Sequence, residues 1–213
     1  MSEPGVYEAR LSTLLASAGL KPLSEAQLSQ FAVYLNLLLK WNARLNLTAI
    51  RDSDGILSRH FVECIACAQS LPLGITSLLD LGSGAGFPGV PIAICRPDIA
   101  ITLAESQNKK SAFLQEVVRS LAISACVWCG RAESLQAQYD CVTLRAVDRM
   151  ALAIQVAAER AKPGGWLAPM STHADLPSLQ VAVGPGFQWQ DPIPLPASED
   201  RVLALARMTS SAT

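Results

Sequence analysis

The stretch Leu78-Leu79-Asp80-Leu81-Gly82-Ser83-Gly84-Ala85-Gly86-Phe87-Pro88-Gly89 decides the fold. A short apolar run of strand type passes directly into a glycine-rich turn, and Pro88 suits the first turn of a following helix. Glycine takes positive φ and lets a ligand approach the backbone closely. The turn follows the carboxyl end of a strand, where open parallel sheets bind ligands. A dinucleotide fingerprint would need G-x-G-x-x-G/A, and Phe87 occupies its third position. No Gly-Lys-Ser/Thr follows, so this is not a P-loop. What remains is D-x-G-x-G-x-G, with Asp80 two residues before Gly82. Glu105 ends the next predicted strand, 21 residues after Gly84, where a carboxylate can accept hydrogen bonds from ribose hydroxyls.

Downstream of the loop, helical and strand-type runs alternate. Val90–Cys95 precedes a strand at Ile99–Ala104, a helix at Ser111–Leu121 and a strand at Ile123–Cys129. A strand at Tyr139–Leu144, a helix at Met150–Ala161 and a strand at Gly165–Ala168 continue the series. Such alternation predicts βαβ units and a parallel sheet. Pro192, Pro194 and Pro196 then break the pattern, and Arg201–Met208 reads as a last strand in an edge hairpin. Upstream, residues 1–72 read as helical, and 73–213 as the sheet domain. Val6–Ala18 forms a helix ending at Gly19. Ser24 and Gln27 match a capping box opening a second helix, whose buried stripe is Leu28, Phe31, Ala32, Leu35, Leu38 and Leu39. An irregular connection over Leu45–Asp54 leads to a third helix at Ile56–Leu71.

Composition narrows the class. Of the 213 residues 50% are apolar and 16% charged, enough for a substantial core and unlike a disordered chain. The mean hydropathy is +0.28, but charges, Pro or Gly interrupt every apolar stretch before the roughly 18 residues a membrane span needs. The opening Met-Ser-Glu-Pro-Gly is acidic where a secretory signal would be basic, so a cytoplasmic location is expected. The formal net charge of −1 excludes a generally basic nucleic-acid coat; any such contact must be local. Two C-x-x-C pairs, Cys64/Cys67 and Cys126/Cys129, stand 58 residues apart, too far for a usual four-cysteine zinc site. Buried free thiols, and no metal, are the expectation.

The acid–glycine pattern resembles the S-adenosylmethionine loop of class I methyltransferases, with Asp80 and Glu105 at that family's first two acidic landmarks. The surroundings narrow it. Trp41-Asn42, Asn46-Leu47-Thr48, Arg51-Asp52 and Arg59-His60 precede the loop, whose extension reads F-P-G-V-P. Leu103 to Ser106, Lys109-Lys110 with Phe113-Leu114, Arg131-Ala132-Glu133 and Arg145-Ala146 follow it. This ordered set, over about residues 7–170, resembles the bacterial small-subunit (16S) rRNA guanine-N7 methyltransferases, the glucose-inhibited division protein B family. The resemblance implies a Rossmann-like α/β fold, a mostly parallel twisted sheet with an antiparallel last strand, plus an N-terminal helical extension. It implies cofactor contacts from Asp80, Gly82, Ser83, Gly84 and Phe87, ribose contacts from Glu105 with Ser106 beside it, and adenine contacts from Ala132 and Glu133. Arg145 falls at the reaction centre, and Asn46, Lys109, Lys110 and Arg131 on the RNA side. The implied partner is ribosomal RNA or the small subunit, taken by a monomer. Two departures lie on the substrate side: Met170-Ser171 stands for the family's lysine–glycine pair, and Asp200-Arg201-Val202 replaces a strand start near histidine.

Guanine N7 carries a lone pair and no proton, so this reaction requires alignment rather than a general base. The plainer alternatives stay open: Arg145 as a surface arginine paired with Asp148, Arg131 paired with Glu133, His60 packed behind the loop, Trp41 in the core. Lys40, Arg44, Arg51 and Arg59, together with residues 109, 110, 131, 145 and 149, are expected to form one positive face. Two other functions compete: a methyltransferase of the same fold acting on a small molecule or protein, and a non-enzymatic nucleotide- or RNA-binding module.

Overall fold

The computed structural model describes residues 5–209, so the acidic start at 1–4 lies outside the described residues. Among the described residues, nine strands form one sheet in the order β3-β2-β1-β4-β5-β8-β7, with β9 paired to β5 and β6. The parallel part comprises β1 (Ser77–Leu81), β2 (Ala100–Glu105), β3 (Ala125–Cys129), β4 (Tyr139–Arg145) and β5 (Ala161–Thr172). Antiparallel pairs close it through β6 (Phe187–Trp189), β7 (Ile193–Pro194), β8 (Arg201–Leu203) and β9 (Ala206–Met208). The strand order reverses at β1 and β4, a switch point that opens a crevice at the strands' carboxyl ends.

Helices α1 (Val6–Ser17), α2 (Glu25–Leu45), α3 (Ser53–Gly55) and α4 (Val62–Ser70) precede the sheet, with a π-helical stretch at Ile56–Phe61 before α4. The predicted capping box is present: Gln27 N–H donates to Ser24 Oγ, and Gln27 Oε1 accepts from Ser24 N–H. Helices α1, α2 and α4 and the π-helical stretch share one hydrophobic core with α5 (Gly89–Cys95), α6 (Asn108–Leu121) and one face of the sheet. The other face packs on α7 (Met150–Arg160) and α8 (Leu176–Val183). Period-2 alternation divides β1 between the two: Leu78 faces the first core and Leu79 and Leu81 the second.

Three expectations need correction. Arg201–Met208 does run antiparallel to β5 in a single register, but the ladder is interrupted at Ala204–Leu205, dividing it into β8 and β9. Between them Ala204 N–H donates to Pro169 O, and Leu205 O turns away to accept Gln190 N–H. Pro169 has no N–H with which to continue the ladder. Helix α8 and strand β6 occupy residues 176–189, a region with no predicted element. Cys126 and Cys129 are exposed on the edge strand β3, whereas Cys64, Cys67 and Cys141 are buried; all six cysteines are free.

Candidate functional site

The glycine loop is held from three sides. From inside, Asp80 is fully buried and its Oδ2 accepts the Gly89 N–H at 3.1 Å, tying the end of β1 to the start of α5. Burial and the nearby Glu105 push this carboxyl up to about 7, against the pull of the Gly89 bond, and its Oδ1 has no partner among the described residues. From the next strand, Glu105 accepts Gly84 N–H (3.0 Å) and Gln107 N–H (2.8 Å). From the N-terminal helices, buried Tyr34 on α2 donates its hydroxyl to Ala85 O at 2.6 Å. The Tyr34 ring stacks on Phe61 with centroids 5.2 Å apart and meets Phe87 at 5.7 Å. A Cβ on Gly86, at φ +95°, would stand 2.8 Å from that hydroxyl and 2.7 Å from Val90 Cγ2. Gly84, at φ +56°, differs: a Cβ there would meet nothing nearer than Gly82 O at 3.8 Å, because the loop opens into a cleft.

That cleft, about 560 Å³, runs from Leu47, Thr48 and Ala49 across the glycine loop to Glu105, Lys110 and Arg145. It continues past Gly82 and Glu105 into a second hollow bordered by Gly130, Arg131, Ala132, Glu133 and Arg149. At the opposite end His60, Arg145, Ala146 and Val147 form a wall shared with a third cavity of about 340 Å³. Met150, Met170 and Leu195 give this third cavity apolar sides, and Glu63, Ser171 and Arg201 polar ones.

The wall is built on a buried charge cluster. The Glu63 carboxylate on α4 is 0% exposed and accepts Arg145 Nη2 at 2.6 Å and Arg201 Nη1 at 2.9 Å. The Arg145 side chain, 8% exposed, also donates Nη1 to Cys64 Sγ and Nη2 to His60 Nδ1, both at 3.1 Å. His60 contacts Thr48 Oγ1 through Nε2 at 2.8 Å, and its ring lies 4.6 Å from the Phe87 ring. Burial, then the charge of Arg145, lowers His60 to about 3, so the ring is neutral near pH 7.

The structure thus brings Gly82, Ser83, Gly84, Phe87, Glu105, Ser106, Lys110 and Arg145 to one cleft and Arg131, Ala132 and Glu133 to its extension. Asp80 does not line it and acts on the loop from behind. Asn46 is a left-handed helix cap bonded to Arg51, facing solvent rather than the cleft; its neighbours Leu47 to Ala49 line the cleft instead. Lys109 is exposed on the first turn of α6, outside the cleft lining. Arg145 does not pair with Asp148 on the surface but is buried against Glu63, so it adds no free charge to a positive face. Arg131 lines the extension, and among the described residues it makes no ion pair with Glu133. Trp41 packs on Phe113, its Nε1 donating to Glu116, and Lys40 lies 3.9 Å from the same carboxylate. Tyr34 and Glu63 escaped sequence reasoning, and Arg201 entered it only as part of a substrate-side departure. Glu63 did leave a signal: it is the lone acid in the apolar run of α4, and a buried carboxylate needs a cation.

A parallel sheet with its switch point at β1/β4, a D-x-G-x-G-x-G loop opening onto that crevice and a carboxylate at the end of β2 define a class I, S-adenosylmethionine-dependent methyltransferase. A family model described as rRNA small subunit methyltransferase G matches residues 27–176, and the chain belongs to that family. A ribosomal RNA small subunit methyltransferase G from Roseiflexus castenholzii is 37% identical over 208 residues, covering 92% of this chain and 88% of that one. Among solved structures, a SAM-dependent methyltransferase from Aquifex aeolicus superposes with a TM-score of 0.60 at 13% identity, covering 77% of this chain and 97% of that one. The [4+2]-cyclase SpnF does so at 0.64 and 17%, covering 87% and 97%. That a cyclase shares the fold means the chemistry must be argued from the site.

Proposed function

We propose that this protein transfers a methyl group from S-adenosylmethionine to N7 of a guanosine in small-subunit ribosomal RNA. The observation that carries the reading is that His60, Arg145, Ala146 and Val147 line both the glycine-loop cleft and the third cavity, of about 340 Å³, so that the two spaces adjoin there. Two compartments meeting at one wall suit a two-substrate transfer. S-adenosylmethionine supplies an electrophilic methyl group on a sulfonium sulfur. The open side of Gly84 leaves room for it, and Glu105 and the Ala132–Glu133 turn supply acceptors and donors along its length, while most of the loop amides are spent on Ala104, Ser83 and Glu105 in holding the loop itself.

The chain's own residues then position rather than exchange protons. Both ring nitrogens of His60 are engaged, one with Arg145 and one with Thr48, so His60 is not a free base. None is needed, since neutral guanine holds no proton on N7. Arg145 spends its guanidinium on Glu63, His60 and Cys64 and acts as a positioning residue that fixes the wall. Met150, Met170 and Leu195 give the third cavity apolar faces against which a base can rest, with Arg201 at its border. Met170 there replaces the family's lysine, so this chain relies less on a cation at that point. Lys110, Arg131 and Arg149 border the clefts and supply local phosphate contacts. We place the enzyme in the cytoplasm as a monomer acting on ribosomal RNA or the small subunit, with residues 1–72 as a helical extension of the 73–213 methyltransferase domain. No helix among the described residues is long and apolar enough to cross a membrane.

Two measurements test this. Calorimetry should show binding of S-adenosylhomocysteine that Gly84→Val abolishes. N7-methylguanine mapping of ribosomal RNA from a deletion strain should show one site lost; an unchanged map overturns the assignment.

A further inference from the structure

We infer that Thr48 is a cofactor-positioning residue whose hydroxyl donates a hydrogen bond to the methionine carboxylate of the cofactor, its donor direction imposed by Arg145 through the tautomer of His60. The inference rests on the proposed methyltransferase reading and assigns one further residue to that site.

The argument runs along a chain of hydrogen bonds. An arginine guanidinium has donors and no acceptor. Arg145 Nη2 lies 3.1 Å from His60 Nδ1, so Nδ1 must be the bare, accepting nitrogen. A neutral imidazole then carries its proton on Nε2. Nε2 therefore donates to Thr48 Oγ1 at 2.8 Å, and the Ile50 N–H donates to the same oxygen at 3.2 Å. Two donors fill both lone pairs of the hydroxyl oxygen. Its own hydrogen has no acceptor among the described residues, and Thr48 lines the glycine-loop cleft. The opposite tautomer would set Nδ1–H against the Arg145 N–H.

The loop that carries Thr48 is fixed from the same side. Asn42, nearly buried on α2, accepts the Thr48 N–H through Oδ1 at 2.9 Å and donates Nδ2 to Ile50 O at 3.2 Å. A fixed hydroxyl that can only donate selects an acceptor. At the methionine end of the cofactor the choice lies between an ammonium, which only donates, and a carboxylate, which only accepts. Lys110 on the same cleft adds a charge of the matching sign. An ordinary threonine would serve either group; this one serves the carboxylate alone.

The test compares ligands that keep or lack that carboxylate. Calorimetry on the full chain with S-adenosylmethionine and decarboxylated S-adenosylmethionine forms a sulfonium pair; S-adenosylhomocysteine and 5′-methylthioadenosine form a thioether pair. Thr48→Val should weaken the two carboxylate-bearing ligands about tenfold, as for loss of a charge-assisted hydrogen bond. It should leave the other two unchanged, and Thr48→Ser should restore tight binding. Equal weakening of all four ligands, or of none, overturns the inference while the methyltransferase reading stands. Failure of the wild-type chain to bind S-adenosylhomocysteine overturns both. As a second readout, nitrogen-15 NMR should find His60 protonated on Nε2, with His173→Gln identifying the signal; a proton on Nδ1 overturns the imposed direction.

Discussion

Removing the carboxylate of Glu63 tests the charge cluster directly. The group is 0% exposed and serves two arginines, Arg145 at 8% exposure and Arg201 at 34%. Glu63→Ala therefore leaves Arg145 buried with no counter-ion. Breaking a buried pair from one side costs about 3–5 kcal/mol, because the surviving charge is desolvated and unpaired. Alanine is the better helix former, so α4 itself loses nothing. Against a typical total of roughly 5–15 kcal/mol, this is a large fraction. For a chain of this length it corresponds to a fall in Tm of about 10 °C.

The two arms of the cluster differ. Arg201→Met removes a partly exposed cation and should cost about 1 kcal/mol or less, since solvent screens that arm. Glu63→Ala combined with Arg145→Met removes both members of the buried pair and should be more stable than Glu63→Ala alone. Urea denaturation at pH 7 of the wild type, the three single variants and the double variant measures all of this, provided the slope against denaturant stays constant. A cost below about 1 kcal/mol for Glu63→Ala would show that water reaches the cluster and that Arg145 is not held as described. Strict additivity of Glu63→Ala and Arg145→Met would refute the pairing itself.

Three further predictions follow from the loop and the thiols. Gly86→Ala must push its Cβ against Val90 and the Tyr34 hydroxyl at a φ of +95°, so it should cost about 2 kcal/mol or more and weaken S-adenosylhomocysteine binding at least tenfold; native-like affinity would show that the loop yields freely. Asp80, pushed up to about 7 chiefly by burial, contributes stability that is present at low pH and is lost as pH rises through that value. Asp80→Asn should therefore gain on the wild type between pH 5 and pH 8 in urea titrations, and a pH-independent difference would refute the shifted carboxyl. A thiol reagent should modify Cys126 and Cys129 quickly in the native protein and reach Cys64, Cys67 and Cys141 only after unfolding; rapid reaction at Cys64 would contradict its burial beside Arg145.

The features legible in the sequence are those written in neighbouring residues. The glycine loop and the Ser24–Gln27 capping box each span a few positions, and the β1-to-β5 alternation is built of short runs each read locally, so pattern and propensity suffice. The site's supports are not local. Tyr34 meets Ala85 across 51 residues, Glu63 meets Arg145 across 82 and Arg201 across 138. No periodicity announces such a partner, and a tyrosine inside an apolar helical stripe reads as core, which Tyr34 also is. Asn46 stands beside the cleft rather than in it: its neighbours line the cleft, while its backbone caps α2 and its side chain accepts from Arg51. The break in the tail is not legible because Val202–Ala206 is an unbroken apolar run, while the interruption is set by Pro169 on the strand opposite.

These long-range contacts change what the helical segment is for. Tyr34 holds the glycine loop, Asn42 holds Thr48, His60 makes part of the wall, and Glu63 neutralises Arg145; all four precede the sheet. The sheet alone would present Arg145 as a free cation at the end of β4, where it would repel a sulfonium. With Glu63 beneath it and a neutral His60 against it, the guanidinium becomes a rigid strut with its charge answered. Arg201, the second cation on that carboxylate, keeps about a third of its side chain exposed and borders the third cavity. One buried acid thus answers the charge of Arg145 and leaves Arg201 partly open, in a chain whose formal net charge is only −1.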